Sequence, residues 1–99
     1  MPSREEVVAV LREVFDPELG MSIVDLGLIY RIDLEGGGIE IDVTFTYPGC
    51  PAEGLIREEM AAILRRDFGV EPKIATVWTP MWGPERMSEE ARISLGYPI

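Results

Sequence analysis

The chain has 99 residues, 46% of them hydrophobic and 27% charged, with a formal net charge of −9. That length predicts one domain over residues 1–99 and excludes two full cores, while the composition excludes a disordered chain. Eighteen acidic against nine basic side chains oppose a phosphate backbone, and no basic stripe offsets them, so nucleic acid is not an expected partner.

No apolar run reaches the roughly 18 residues a membrane span needs, and Met1-Pro2-Ser3-Arg4-Glu5-Glu6 lacks the basic start and apolar block of a signal peptide. One cysteine cannot form an internal disulfide, which fits a reducing compartment and predicts a cytoplasmic location. The acidic surface either attracts a basic protein face or maintains solubility. The chain contains no histidine, so a Ser-His-Asp or Cys-His relay within it is impossible. It also contains no asparagine or glutamine, and arginine outnumbers lysine eight to one. Loss of thermolabile amides points to a hot-living source, although the arginine bias has a second reading in genome composition.

Ser3 and Glu6 make an S-x-x-E capping box, so a first helix is predicted from near Arg4. Val7, Val8, Leu11, Val14 and Phe15 give it one apolar stripe, and Asp16-Pro17 is expected to stop it, because a residue before proline avoids the helical region. Glu18 to Gly27 reads as a loop. From Leu28 the period becomes two, with Leu28, Tyr30, Ile32 and Leu34 on one side and Ile29, Arg31 and Asp33 on the other. Glu35-Gly36-Gly37-Gly38 supplies a hairpin turn. The next strand alternates Ile39, Ile41, Val43 and Phe45 inward with Glu40, Asp42, Thr44 and Thr46 outward, the pattern of a sheet covered on one face.

A second helix is predicted after Cys50, running to Asp67 or Phe68, with Ala52, Ile56, Met60, Ile63 and Leu64 buried and Gly69 as its C-cap. A third strand covers Lys73 to Trp78. Ser88 caps a short last helix that Gly96 ends. The order helix, hairpin, helix, strand, short helix predicts an α+β two-layer sandwich on a small three-stranded mixed sheet, with the third strand parallel to one strand of the hairpin.

Cys50 sits in Thr46-Tyr47-Pro48-Gly49-Cys50-Pro51, between a strand and a helix. Proline is tolerated at the first helical position, which places Cys50 at or beside the N-cap, before unpaired backbone N–H groups and the positive end of the helix dipole. That position is expected to favour the thiolate, the form that attacks electrophiles and binds soft metals. The competing reading is a small buried hydrophobe. Asp16, Glu18 and Asp25 bracket the first loop. Asp16 reads as a turn residue bonding nearby backbone N–H groups, while Glu18 and Asp25 face Cys50 if the loop packs over the second strand. A carboxylate there would oppose ionisation of the thiol yet could share a bound metal. Thr46 is either a donor to the thiolate or a strand former on a solvated face. Trp78, Met81 and Trp82 either clamp a partner or fold back over the core.

Asp16-Pro17-Glu18, Ser22-Ile23-Val24-Asp25-Leu26-Gly27-Leu28-Ile29, Thr46 with Cys50-Pro51, Trp78 through Trp82, and Met87-Ser88-Glu89-Glu90-Ala91-Arg92 occur in that order. Together they resemble the small iron–sulfur cluster assembly domain family that includes SufT-like and PaaD-like proteins. The resemblance implies an α+β domain that matures or delivers iron–sulfur clusters, with the family's reactive cysteine on Cys50 and its acidic loop on Glu18 and Asp25. An accessory subunit of a phenylacetate-degradation (ring-oxygenating) system is an alternative the resemblance implies, although its PaaD-like members carry a cysteine-rich extension not seen in these 99 residues. A cluster takes several thiolates and this chain has one. Cargo, a cluster or iron, is therefore expected to be transient and shared, in a homodimer or with client apoproteins and other assembly proteins. Two rivals stand: a thiol enzyme using Cys50 as nucleophile, and a scaffold that binds clients through Trp78 to Trp82.

Overall fold

A computed structural model describes residues 2–96; Met1 and residues 97–99 of the expected single domain lie outside the described residues. The elements are α1 (Arg4–Leu11), β1 (Phe15–Asp16), β2 (Met21–Ser22), β3 (Ile29–Asp33), β4 (Glu40–Val43), α2 (Glu53–Phe68), β5 (Lys73–Thr76) and α3 (Glu89–Leu95), with 3-10 turns at Glu35–Gly37 and Pro84–Arg86. The main sheet has the order β3–β4–β5, antiparallel then parallel. The α+β class and the mixed three-stranded sheet are as the sequence predicts, and α2 makes the crossover that sets β5 parallel to β4.

The capping box at α1 is formed. Ser3 Oγ accepts from the Glu6 N–H at 3.1 Å and Glu6 Oε1 accepts from the Ser3 N–H at 2.8 Å. The helix ends at Leu11 rather than at Asp16. Its last turn tightens through Glu13 N–H to Val10 O and Val14 N–H to Leu11 O. The chain then enters a two-stranded hairpin that pairs Phe15 with Ser22 and Asp16 with Met21. Phe15 therefore leaves the helical stripe and is 52% exposed. Strands of two residues are too short to show alternation, which is why this stretch reads as loop.

β3 carries a bulge. Ile29 pairs with Val43 but Arg31 pairs with Asp42, leaving Tyr30 as the extra residue. Opposed residues share a face, so Ile29 and Ile32, set against buried Val43 and Ile41, both serve the core. The strict period of two, which separates Ile29 from Ile32, is corrected by that one residue. Thr44, expected on the solvated face, is fully buried: its N–H donates to Leu28 O, and Leu28 is buried as well. The C-terminal segment folds back against this end. Trp82 Nε1 donates to Leu26 O at 2.7 Å, Tyr30 Oη donates to Pro80 O at 2.9 Å, and the Arg86 guanidinium lies 4.5 Å over the Tyr30 ring.

The core lies between the helices and the sheet. Val7 and Leu11 of α1 and Ile56, Met60 and Leu64 of α2 meet Ile39, Ile41 and Val43, all of them buried. α2 ends where predicted, at Gly69 with φ 67, whose N–H returns to Arg65 O. Ser88 caps α3 by accepting from the Ala91 N–H, and Gly96 closes it in the left-handed region.

Candidate functional site

Because β4 and β5 run parallel, the segments that follow them leave the sheet at the same end. Residues 44–50 and 77–83 therefore emerge together, beside the first turn of α2. Cys50 lies two residues before the α2 N-cap, Ala52, which makes no side-chain cap bond. Its backbone is held by Cys50 N–H to Tyr47 O at 3.3 Å and Glu53 N–H to Cys50 O at 3.1 Å. Gly49 enters this turn at φ 79, a conformation that favours glycine.

The hairpin β1–β2 brings Glu18 to the thiol across 32 residues of sequence. Cys50 Sγ donates to Glu18 Oε1 at 3.2 Å. Asp16 builds the turn that aims Glu18: its Oδ1 accepts from the Glu18 N–H at 2.8 Å and the Leu19 N–H at 3.3 Å, and the residue is only 2% exposed. The sequence reading of Asp16 as a turn former agrees with this geometry. Tyr47 Oη approaches both Glu18 oxygens at 3.4 and 3.5 Å. One carboxylate thus sits between a thiol and a phenol.

These neighbours reverse the expected ionisation. Burial pushes the Cys50 thiol above its ordinary value, against a backbone hydrogen bond from Ala52 that lowers it, and the Glu18 carboxylate and Asp16 add to the rise. The side chain is 5% exposed. The lowering effect of the Ala52 backbone at the helix entrance does not outweigh desolvation and negative charge. The Tyr47 phenol is likewise pushed up, by burial and then by Glu18. The site therefore favours the thiol over the thiolate, with Sγ donating to the Glu18 carboxylate.

The other sequence candidates are placed differently. The Asp25 carboxylate takes Arg12 Nη1 at 2.9 Å and its carbonyl accepts from the Ser88 N–H, so its bonds lead away from Cys50. Thr46 is half-buried, and among the described residues its hydroxyl makes no hydrogen bond to the thiol. Trp78 is 40% exposed, its ring centroid 6.2 Å from that of Phe45, and Met81 is 84% exposed. Trp82 is half-buried and spends its indole N–H on Leu26 O. Sequence reasoning missed Tyr47 as a member of the site; an aromatic beside a Pro-Gly turn, three residues before the only cysteine, was the available signal. Among the described residues no group of three or more Cys, His, Asp or Glu side chains is set to hold a metal ion. Among the described residues the site offers one sulfur and the Glu18 carboxylate.

A small α+β domain with a single thiol–carboxylate pair at the shared exit of two parallel strands is the class this architecture defines. The profile of the family described as "Iron-sulfur cluster assembly protein" matches residues 4–71, and the chain belongs to that family. A Porphyromonas gingivalis protein named "Fe-S protein maturation auxiliary factor" is 37% identical over 99 residues, covering 98% of this chain and 94% of its own. The Staphylococcus aureus "Fe-S protein maturation auxiliary factor SufT" is 36% identical over 85 residues, covering 84% and 97%. A crystal structure of a domain of unknown function, DUF59, from Bacillus anthracis superposes with a TM-score of 0.86 at 40% identity, covering 95% of this chain and 92% of that one.

Proposed function

We propose that this chain is an iron–sulfur cluster assembly or transfer factor that holds a cluster or iron transiently through Cys50, with the Glu18 carboxylate as the adjoining oxygen donor. The observation that carries the reading is the Sγ–Oε1 contact of 3.2 Å, beside which the described residues set no third ligand. A cluster needs several thiolates, so the remaining ligands come from outside the chain, from a second copy or from a client apoprotein or another assembly protein. An incomplete ligand set releases its cargo readily, which suits transfer. The family membership and the names of the two relatives support the same role.

Trp78 and Met81, exposed at the same end, are the side chains proposed to touch a partner, while Trp82 holds the C-terminal segment in place. The chain has no histidine to serve as base for a thiol nucleophile, so the thiol-enzyme reading is not favoured. A reducing compartment such as the cytoplasm suits a single unpaired thiol. No helix among the described residues is long and apolar enough to cross a membrane.

The test is anaerobic reconstitution with iron and sulfide, comparing wild type with Cys50→Ser, together with the activity of iron–sulfur clients in cells carrying each variant. The expected outcome is a visible chromophore in wild type alone and a loss of client activity with an intact fold in Cys50→Ser. Normal client activity in that variant would refute the role.

A further inference from the structure

Seven large apolar side chains are exposed among the described residues, and six of them lie on the segments that meet at the thiol end. Phe15 (52%) and Leu19 (37%) stand on the β1–β2 hairpin that delivers Glu18 to the thiol. Tyr47 (45%) lies in the segment after β4, and Leu55 (49%) in the first turn of α2. Trp78 (40%) and Met81 (84%) follow β5, which exits beside β4. Separate segments therefore contribute exposed apolar side chains at the end of the molecule that carries Cys50. Single exposed apolar groups are ordinary, but a concentration of this kind marks an interaction face. By contrast, a groove of about 640 Å³ between α2 and β5 is crossed by Arg57, which donates to Ile74 O and to Thr76 Oγ1 and so occupies the open edge of β5.

The charge at the thiol end is mainly negative, since the neighbouring guanidinium groups are already engaged, Arg57 on Ile74 O and Thr76 Oγ1 and Arg86 on the Tyr30 ring. Residues 15–20, 44–55 and 77–83 contain three carboxylates, Asp16, Glu18 and Glu53, and no lysine or arginine. We infer that this face docks a partner protein presenting an apolar loop flanked by basic side chains, with that partner's own thiol brought against Cys50. The apolar rim supplies the contact, the carboxylates steer a cationic surface toward it, and a strongly acidic partner is rejected. The partner's thiol rests on the cargo role proposed above; the apolar and basic character of the surface does not.

The test is thiol–disulfide exchange between the full chain and two synthetic peptides. Each peptide has one cysteine set among leucines and capped as a disulfide with thionitrobenzoate, one flanked by arginines and the other by glutamates. In the exchange the Cys50 thiolate, its proton lost to buffer, bonds to the peptide cysteine sulfur as the cap leaves as its coloured thiolate. Rates are normalised to those with neutral dithiodipyridine, which reports the intrinsic reactivity of the thiol. The arginine peptide is expected to react roughly tenfold faster at low salt, and the difference to shrink as ionic strength rises. The double variant Leu55→Ser, Met81→Ser is expected to lower the normalised peptide rate several-fold. Equal rates for the two peptides, a preference untouched by the double variant, or a thiol that reacts with neither peptide would each overturn the inference. If the peptide preference holds while Cys50→Ser still matures its clients, the docking face stands and the cargo role falls; the converse result separates them the other way.

Discussion

Burial and a carboxylate neighbour outweigh the lowering effect of the Ala52 backbone on Cys50, and this balance can be measured. With Glu18→Gln the negative charge 3.2 Å from the sulfur is gone, so the thiol should titrate lower and iodoacetamide alkylation near neutral pH should speed up. An unchanged pH profile would remove Glu18 from the electrostatics of the site. The same shift has a stability consequence. The folded chain holds the Cys50 proton more tightly than the unfolded chain does, through burial first and Glu18 after it. Its contribution is therefore fully present below the ordinary thiol range and is lost as pH rises through the raised value. Denaturant titrations across that alkaline window should show wild type losing more stability than Cys50→Ser. Thr44 offers a separate test. Its Oγ1 is buried and, among the described residues, without a hydrogen-bond partner. Thr44→Val keeps the shape and removes the unsatisfied hydroxyl, so it should stabilise by about 1 kcal/mol in chemical denaturation.

At the scale of elements, the parts with a strong local code were legible and the short ones were not. Ser3 with Glu6, Ser88 and Gly69 announce helix ends through hydrogen bonds made within a few residues, and the structure places those ends accordingly. The two-residue strands at Phe15 and Met21 owe their existence to pairing with each other, which no local window reports. The bulge at Tyr30 is equally silent in sequence, because it depends on the register of the partner strand. The candidate site divides in the same way. Cys50 and the turn built by Asp16 could be read locally, whereas the meeting of Glu18 with the thiol and the diversion of Asp25 to Arg12 are tertiary facts. One contact between elements makes a sharp prediction. A Cβ on Gly27 would run into the Arg86 carbonyl oxygen, at a φ of +75. Gly27→Ala should therefore dislodge the C-terminal segment and cost more than about 2 kcal/mol. Gly20→Ala, at φ +69 with open space around it, should cost only about 1 kcal/mol. Similar losses for both would mean that the close approach is not what holds the segment.

For the molecule as a whole, one apolar interior fixes the relative positions of every loop at the functional end. Met60, fully buried on α2, faces the layer shared with α1 and the sheet; Met60→Ala should cost about 2–5 kcal/mol, read from the shift in denaturation midpoint. Parallel pairing between β4 and β5 also has a temporal side. Polypeptides leave the ribosome N-terminus first, so Glu18 and Cys50 are both synthesised before Lys73–Thr76, the strand that completes the sheet. A truncated nascent chain ending at Val70 thus owns the sulfur and its acidic companion without the framework that unites them. Its thiol should be modified by alkylating reagents as freely as in a short peptide, and the site matures only once translation has passed Thr76.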